Sequence, residues 1–238
     1  MKKILIELLV LSCLFMIGCK KEEKKEDVTP SPKTEIVGGW ETLLAGQDKN
    51  LTVEDINIFN EAKANYTDLN FDLVAILGKQ VVAGTNYMYL AKGYQDGEYE
   101  NATYKIVIVY HDLEGKKSIT KVSDFDYTKY VNKIIDDTNE QLSGGWVVES
   151  TNKEYTLSDE ANNIFEKATD TLTGMNFKPV AILGKQIVAG TNYAILCFGA
   201  ATVPDAREGI YILTIYEDLQ GNAELIGNAY VDLAEYNK

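Results

Sequence analysis

The stretch Val74-Ala75-Ile76-Leu77-Gly78-Lys79-Gln80-Val81-Val82-Ala83-Gly84-Thr85-Asn86-Tyr87 recurs at residues 180–193, with Ile187 where the first copy has Val81. The same offset carries Gly38-Gly39-Trp40 onto Gly144-Gly145-Trp146. It also carries Asp112-Leu113 and Gly115 onto Asp218-Leu219 and Gly221, with no gap between these landmarks. The chain is therefore an internal duplication, and each copy is one structural unit to be read twice. Between the landmarks the copies have drifted: Asp55 faces Ala161, and Ile56 faces Asn162. Gly84 and Gly190 are suited to φ > 0 or to close backbone approach, and apolar runs flank both. The stretch thus predicts a strand, a tight turn and a strand.

Around this hairpin each copy predicts one helix followed by strands. Ile58, Phe59, Ala62, Tyr66 and Leu69 recur at helical spacing, as do Ile164, Phe165, Ala168, Leu172 and Met175. Thr52 and Ser158 precede these runs as candidate N-caps. Strands follow at about 71–80, 84–93, 103–111 and 117–127, and again one offset later; the run Ile106-Val107-Ile108-Val109-Tyr110 has strong β propensity. Short turns join them, so the sheets are expected to be antiparallel. Helix plus antiparallel sheet places the chain in the α+β class. Each copy is long enough for a core of its own, which predicts domains at 36–132 and 142–238, with a polar linker at 133–141.

The hairpin residues carry a resemblance. Gln80-Val81-Val82-Ala83-Gly84 and Gln186-Ile187-Val188-Ala189-Gly190 resemble the Gln-x-Val-x-Gly hairpin of the cystatins, and the following Thr-Asn-Tyr is similar to the stefins, the disulfide-free members. The resemblance implies two cystatin-like domains, each an antiparallel sheet wrapped around one long helix. It implies reversible, non-covalent inhibition of papain-like cysteine proteases by a wedge of three parts. These are a glycine trunk (Gly38, Gly39; Gly144, Gly145), the hairpin (Gln80, Val81, Val82, Ala83, Gly84; Gln186, Ile187, Val188, Ala189, Gly190) and a second hairpin. The third part departs from the family: proline is missing, and Leu113 with Gly115, and Leu219 with Gly221, remain. Taken alone, the five-residue motif also fits an ordinary hairpin, and the glycine pairs fit ordinary turns. Trp40 and Trp146 fit either protease contact or packing on their own domains.

A narrow protease cleft holds a Cys-His pair at its base. An inhibitor must enter it without offering a cleavable bond. Small Ala83 and Gly84 keep a tip narrow, branched Val81 and Val82 stiffen the strand, and a preformed shape lowers the ordering cost of binding. The glutamines are expected to shape the hairpin. Because fold does not fix function, the alternative is a non-inhibitory surface binding module on the same scaffold.

The N-terminus reads as an export signal. Lys2 and Lys3 precede the apolar run Ile4–Ile17, and Met16-Ile17-Gly18-Cys19 resembles a bacterial lipobox, with Cys19 the lipidation site. Val10-Leu11-Ser12-Cys13 is a second candidate with a shorter apolar core. Lipid on the cysteine and its amine would supply the more than one buried chain that stable anchoring needs. This predicts a lipid-anchored monomer of the bacterial cell envelope. Residues 20–35, mixed in charge and containing Pro30 and Pro32, read as a disordered tether spanning roughly 20 Å.

Composition narrows the function further. The net charge of −13 argues against nucleic acid, which needs a basic footprint. Cys197 is the sole cysteine beyond the signal region, so an internal disulfide and a Cys/His metal cluster are both excluded after processing. It reads as a small core residue, with a functional thiol as the lesser alternative. A single histidine, His111, has Glu217 as its repeat partner, which leaves no repeated base for a catalytic triad. No phosphate loop or zinc motif is present. The chain is expected not to be an enzyme and to need no cofactor and no metal.

Overall fold

A computed structural model describes residues 38–42, 51–132, 145–148 and 157–237. The signal region 1–19 with Cys19, the tether 20–35, the linker 133–141 and Gly144 lie outside the described residues. Residues Glu35–Lys238 form one compact unit. The first copy gives α1 (Val53–Lys63), β1 (Asn70–Val82), β2 (Gly84–Tyr94), β3 (Thr103–His111) and β4 (Lys117–Asp124). The second gives β5 (Val147–Val148), α2 (Asp159–Thr169), β6 (Met175–Val188), β7 (Gly190–Ala201), β8 (Gly209–Glu217) and β9 (Ala223–Val231). Two antiparallel sheets result, ordered β1-β2-β3-β4 and β5-β6-β7-β8-β9.

Local chemistry explains the helix starts. Thr52 accepts from the Asp55 amide, and the Asp55 carboxylate accepts in return from the Thr52 amide, a reciprocal capping box. Ser158 accepts from the Ala161 amide in the second copy. Helices α1 and α2 are each only 11 residues long, shorter than the apolar spacing suggests: Tyr66 and Leu69 lie beyond α1, Leu172 lies beyond α2, and Met175 opens β6. Isolated helices of that length are marginal, so packing must hold them. Ile58, Phe59 and Ala62 of α1 meet Phe71, Ile76, Tyr89 and Val107 on one face of the first sheet. Ile164 and Phe165 of α2 meet Ile195, Leu213 and Ile215 on one face of the second.

The opposite faces meet each other. Val74, Ala75, Leu77, Met88, Leu90 and Ile106 of the first sheet share one core with Val180, Ala181, Leu183, Leu196 and Ile212 of the second. The expected fold is therefore corrected. The chain does not form two α+β, cystatin-like domains whose sheets each wrap around one long helix. It is a β-rich, two-sheet structure, with three-turn helices packed against single sheet faces. The reason lies in the strand centres. Val74–Leu77, Met88–Ala91 and Ile106–Val109 are buried at consecutive positions, so both sheet faces are apolar. A short helix covers one face, and the other copy covers the second.

Bulges help to set these faces. Register shifts fall between Leu73 and Ala75 and between Ile76 and Gly78, and recur between Pro179 and Ala181 and between Ile182 and Gly184. An extra residue in one strand breaks strict alternation. Neighbours Val74 and Ala75 thereby both reach the inter-sheet core.

The packing is internally two-fold. A Cβ on Gly78 would stand 3.2 Å from Leu233, and a Cβ on Gly184 would stand 2.0 Å from the Tyr127 hydroxyl. Gly184 is the repeat partner of Gly78, and Leu233 of Tyr127. Contacts of i with j and of j with i are the signature of an isologous interface. Tyr130 and its own repeat partner Tyr236 bring their hydroxyls to 3.4 Å, which places them at the axis. Tyr104 donates across the interface to the Ile182 carbonyl, and Lys121 to the Tyr236 carbonyl.

Two outcomes follow from this interface. Gly184→Ala drives a methyl into Tyr127 and to 2.8 Å from the Val147 carbonyl, whereas a Cβ at Gly78 meets nothing closer than 3.0 Å. Gly184→Ala should cost roughly 1–3 kcal/mol of unfolding free energy and Gly78→Ala less; equal urea midpoints for the two variants would refute the packing described. Second, burial, and then the charge of Asp126, pushes the Tyr127 phenol from 10.0 to about 12. A raised folded pKa means its contribution is full below pH 10.0 and is lost as pH climbs from 10.0 toward about 12. Tyr127→Phe should therefore move the alkaline unfolding midpoint, followed by circular dichroism, to higher pH.

Candidate functional site

Each copy brings three of its landmarks to one end of its sheet. β1 ends at Val82, β2 starts at Gly84, β3 ends at His111 and β4 starts at Lys117, so both hairpins of the first copy lie at the same end. Thr85 pairs with His111 across β2 and β3. The glycine segment joins them: the Gly38 amide donates to the Val81 carbonyl at 3.2 Å, and Glu41 bridges to Lys79. In the second copy Val147 and Val148 pair with Lys185 and Gly184, and Thr191 pairs with Glu217.

The glutamines are internal brackets. Gln80 is only 7% exposed. Its side-chain amide donates to the Gly38 carbonyl at 2.9 Å, and its carbonyl oxygen accepts from Asn86 at 2.7 Å. One side chain thus ties the glycine segment to both strands of the hairpin. Gln186 is likewise buried and accepts from Asn192 at 3.0 Å.

Gly84 and Gly190 have φ of +118° and +130°, a region that L side chains rarely adopt. A Cβ would stand 2.5 Å from the His111 carbonyl oxygen at Gly84, and 2.3 Å from that of Glu217 at Gly190. The space is taken by the chain itself. The Tyr110 ring lies over Gly84, and its hydroxyl donates to the Ala83 carbonyl at the hairpin tip. Tyr216 does the same for Ala189. The sequence marks the paired asparagines, Asn86 and Asn192, only within the Thr-Asn-Tyr likeness, and it gives neither them nor these two tyrosines a bracing role. Their identity in both copies, at a position flanked by drifted residues in the case of the tyrosines, was the available signal.

What remains exposed is a narrow apolar edge. Ala83 and Ala189 sit at the exposed tips. Val82 is 39% exposed and Ile187 is 69% exposed. Val81 and Val188 are half-buried, Gly38 and Gly145 exposed, and Gly39 half-buried. On the second hairpins Leu113 is 82% exposed and Leu219 is 79% exposed. Their turns are fixed. Asp112 accepts from the amides of Glu114 and Lys116, with Gly115 at φ +91°. Asp218 accepts from the amides of Gln220 and Asn222, with Gly221 at φ +81°. Hydrogen bonds to Asp218, led by the Asn222 side chain, hold its carboxyl below its ordinary range.

Trp40 and Trp146 pack against the core that both sheets share, and Trp146 meets Tyr127 of the first copy, so the packing is across copies and not on the domain alone. Cys197 is fully buried, and burial pushes its thiol up, as suits a core residue. His111 lies 6.4 Å from the Tyr87 ring at the hairpin end. Among the described residues, no group of three or more His, Cys, Asp or Glu is placed to hold a metal ion, and no helix is long and apolar enough to cross a membrane.

Loss of the tyrosine hydroxyl tests the tip. Tyr110→Phe should speed amide exchange of the hairpin tip by several-fold and leave the global unfolding midpoint within a few degrees, since one exposed hydrogen bond is worth only about 1 kcal/mol. Unchanged exchange around Ala83 would show that the hydroxyl does not hold the turn.

Compared with models of known protein families and with curated proteins, the chain matches none.

Proposed function

We propose that the chain is a reversible, non-covalent inhibitor of papain-like cysteine proteases. The carrying observation is the edge at each hairpin end: a tip of small residues, flanked by exposed Val82 and Leu113, or Ile187 and Leu219, on turns held by the chain's own hydrogen bonds. Such an edge enters a cleft as a preformed shape, and little ordering cost opposes binding. The likeness of Gln80–Gly84 and Gln186–Gly190 to the cystatin hairpin supports the choice of target. The reading rests on this motif and edge, not on the overall fold.

The roles divide by exposure. Ala83, Ala189, Val82, Ile187, Leu113 and Leu219 supply the contacting surface. Gln80, Gln186, Gly84, Gly190, Tyr110 and Tyr216 hold that surface in shape. No side chain performs a chemical step, and no cofactor or metal takes part. In the same reading Cys19 carries lipid and fixes the protein to the bacterial cell envelope. A non-inhibitory binding module is the second reading, favoured by Glu114, which puts a negative charge on the exposed second hairpin of the first copy.

The test is placed at the tips, since bulk at Gly84 or Gly190 would disturb the fold itself. Ala83→Trp and Ala189→Trp together should raise the inhibition constant for papain at least a hundredfold and leave the circular dichroism spectrum unchanged. Failure of the wild-type chain to slow peptide hydrolysis by papain and several relatives would favour the binding-module reading.

A further inference from the structure

We propose that one chain holds two papain-like proteases at the same time, one on each hairpin edge; this rests on the inhibitor reading above. The warrant is the two-fold packing of the copies. Tyr127 follows β4 beyond the end opposite the first copy's hairpins. It meets Gly184 of β6, and its ring lies 6.0 Å from that of Trp146, both in the hairpin half of the second copy. The repeat partner of Tyr127, Leu233, meets Gly78 in the hairpin half of the first copy. The far end of each sheet therefore lies beside the hairpin half of the other. The two hairpin edges leave the sandwich on different sides.

Spacing adds to this. Gly78 and Gly184 each lie five residues before a tip, Ala83 or Ala189. At about 3.3 Å per residue, each tip stands about 17 Å beyond the point where the other copy touches that strand. The exposure of Leu113 and Leu219, 82% and 79%, fits two uncovered edges. The edges also differ in charge. The first has His111, Glu114 and Lys117, where the second has Glu217, Gln220 and Ala223. The two affinities need not be equal, so the count must be made at saturation.

The experiment is a titration of the full-length chain, kept in mild detergent, with active-site-titrated papain, followed by light scattering of the isolated complex. Two papain molecules per chain are expected for the wild type at excess protease. One per chain is expected for Ala83→Trp and for Ala189→Trp. Inhibition with a single papain per chain at every excess would overturn the proposal and leave the inhibitor reading standing. Two per chain for either single variant would place the second protease elsewhere and overturn it as well. No complex at all would remove the inhibitor reading itself, and this proposal with it.

Discussion

Face-to-face contact of the two sheets is the constraint on which the rest of the molecule depends. A sheet with one apolar face can be closed by a helix alone. These sheets have two, since Val74–Leu77 and Met88–Ala91 are buried residue by residue. Leaving the second face wet would forgo roughly 25 cal/mol for each Å² of apolar surface. The duplicated chain meets this need with itself, and the price is close fit. Gly78 and Gly184 remain without side chains because Leu233 and Tyr127 take that room.

Rigidity at the hairpin ends is built from the same economy of space. The Tyr110 and Tyr216 rings occupy the room that a Cβ would need at Gly84 and Gly190, and their hydroxyls hold the tip carbonyls. Gln80 then joins the neighbouring glycine segment to the hairpin. The near-identity of residues 74–87 and 180–193 therefore has an internal cause: much of the stretch faces its own chain. Val81 and Ile187, the one difference between the two stretches, fall where the second copy is 69% exposed.

Much of the local structure was legible before the fold. The repeat offset, the strand positions, the caps at Thr52 and Ser158 and the turn at Gly84 all follow from short-range chemistry. The layer arrangement did not follow, because the helical stripe at Ile58, Phe59 and Ala62 offered a partner for one face only. The signal for the second face was also present, in the unbroken apolar runs of β1, β2 and β3. For the site, glycine and glutamine could be found by motif. Tyr110 could not, since nothing in a linear sequence says that its ring returns over Gly84.

The shared core also has a consequence for synthesis. Elongation runs at about 5–20 residues per second, and the second copy trails the first by one repeat offset. For about 5–20 s, then, the first sheet is complete while its inner face, with Leu77, Leu90 and Ile106, has no partner. Another nascent first copy presents the same uncovered apolar face. The chain must either be kept apart from its neighbours during that interval or be elongated fast enough that its own second half arrives first.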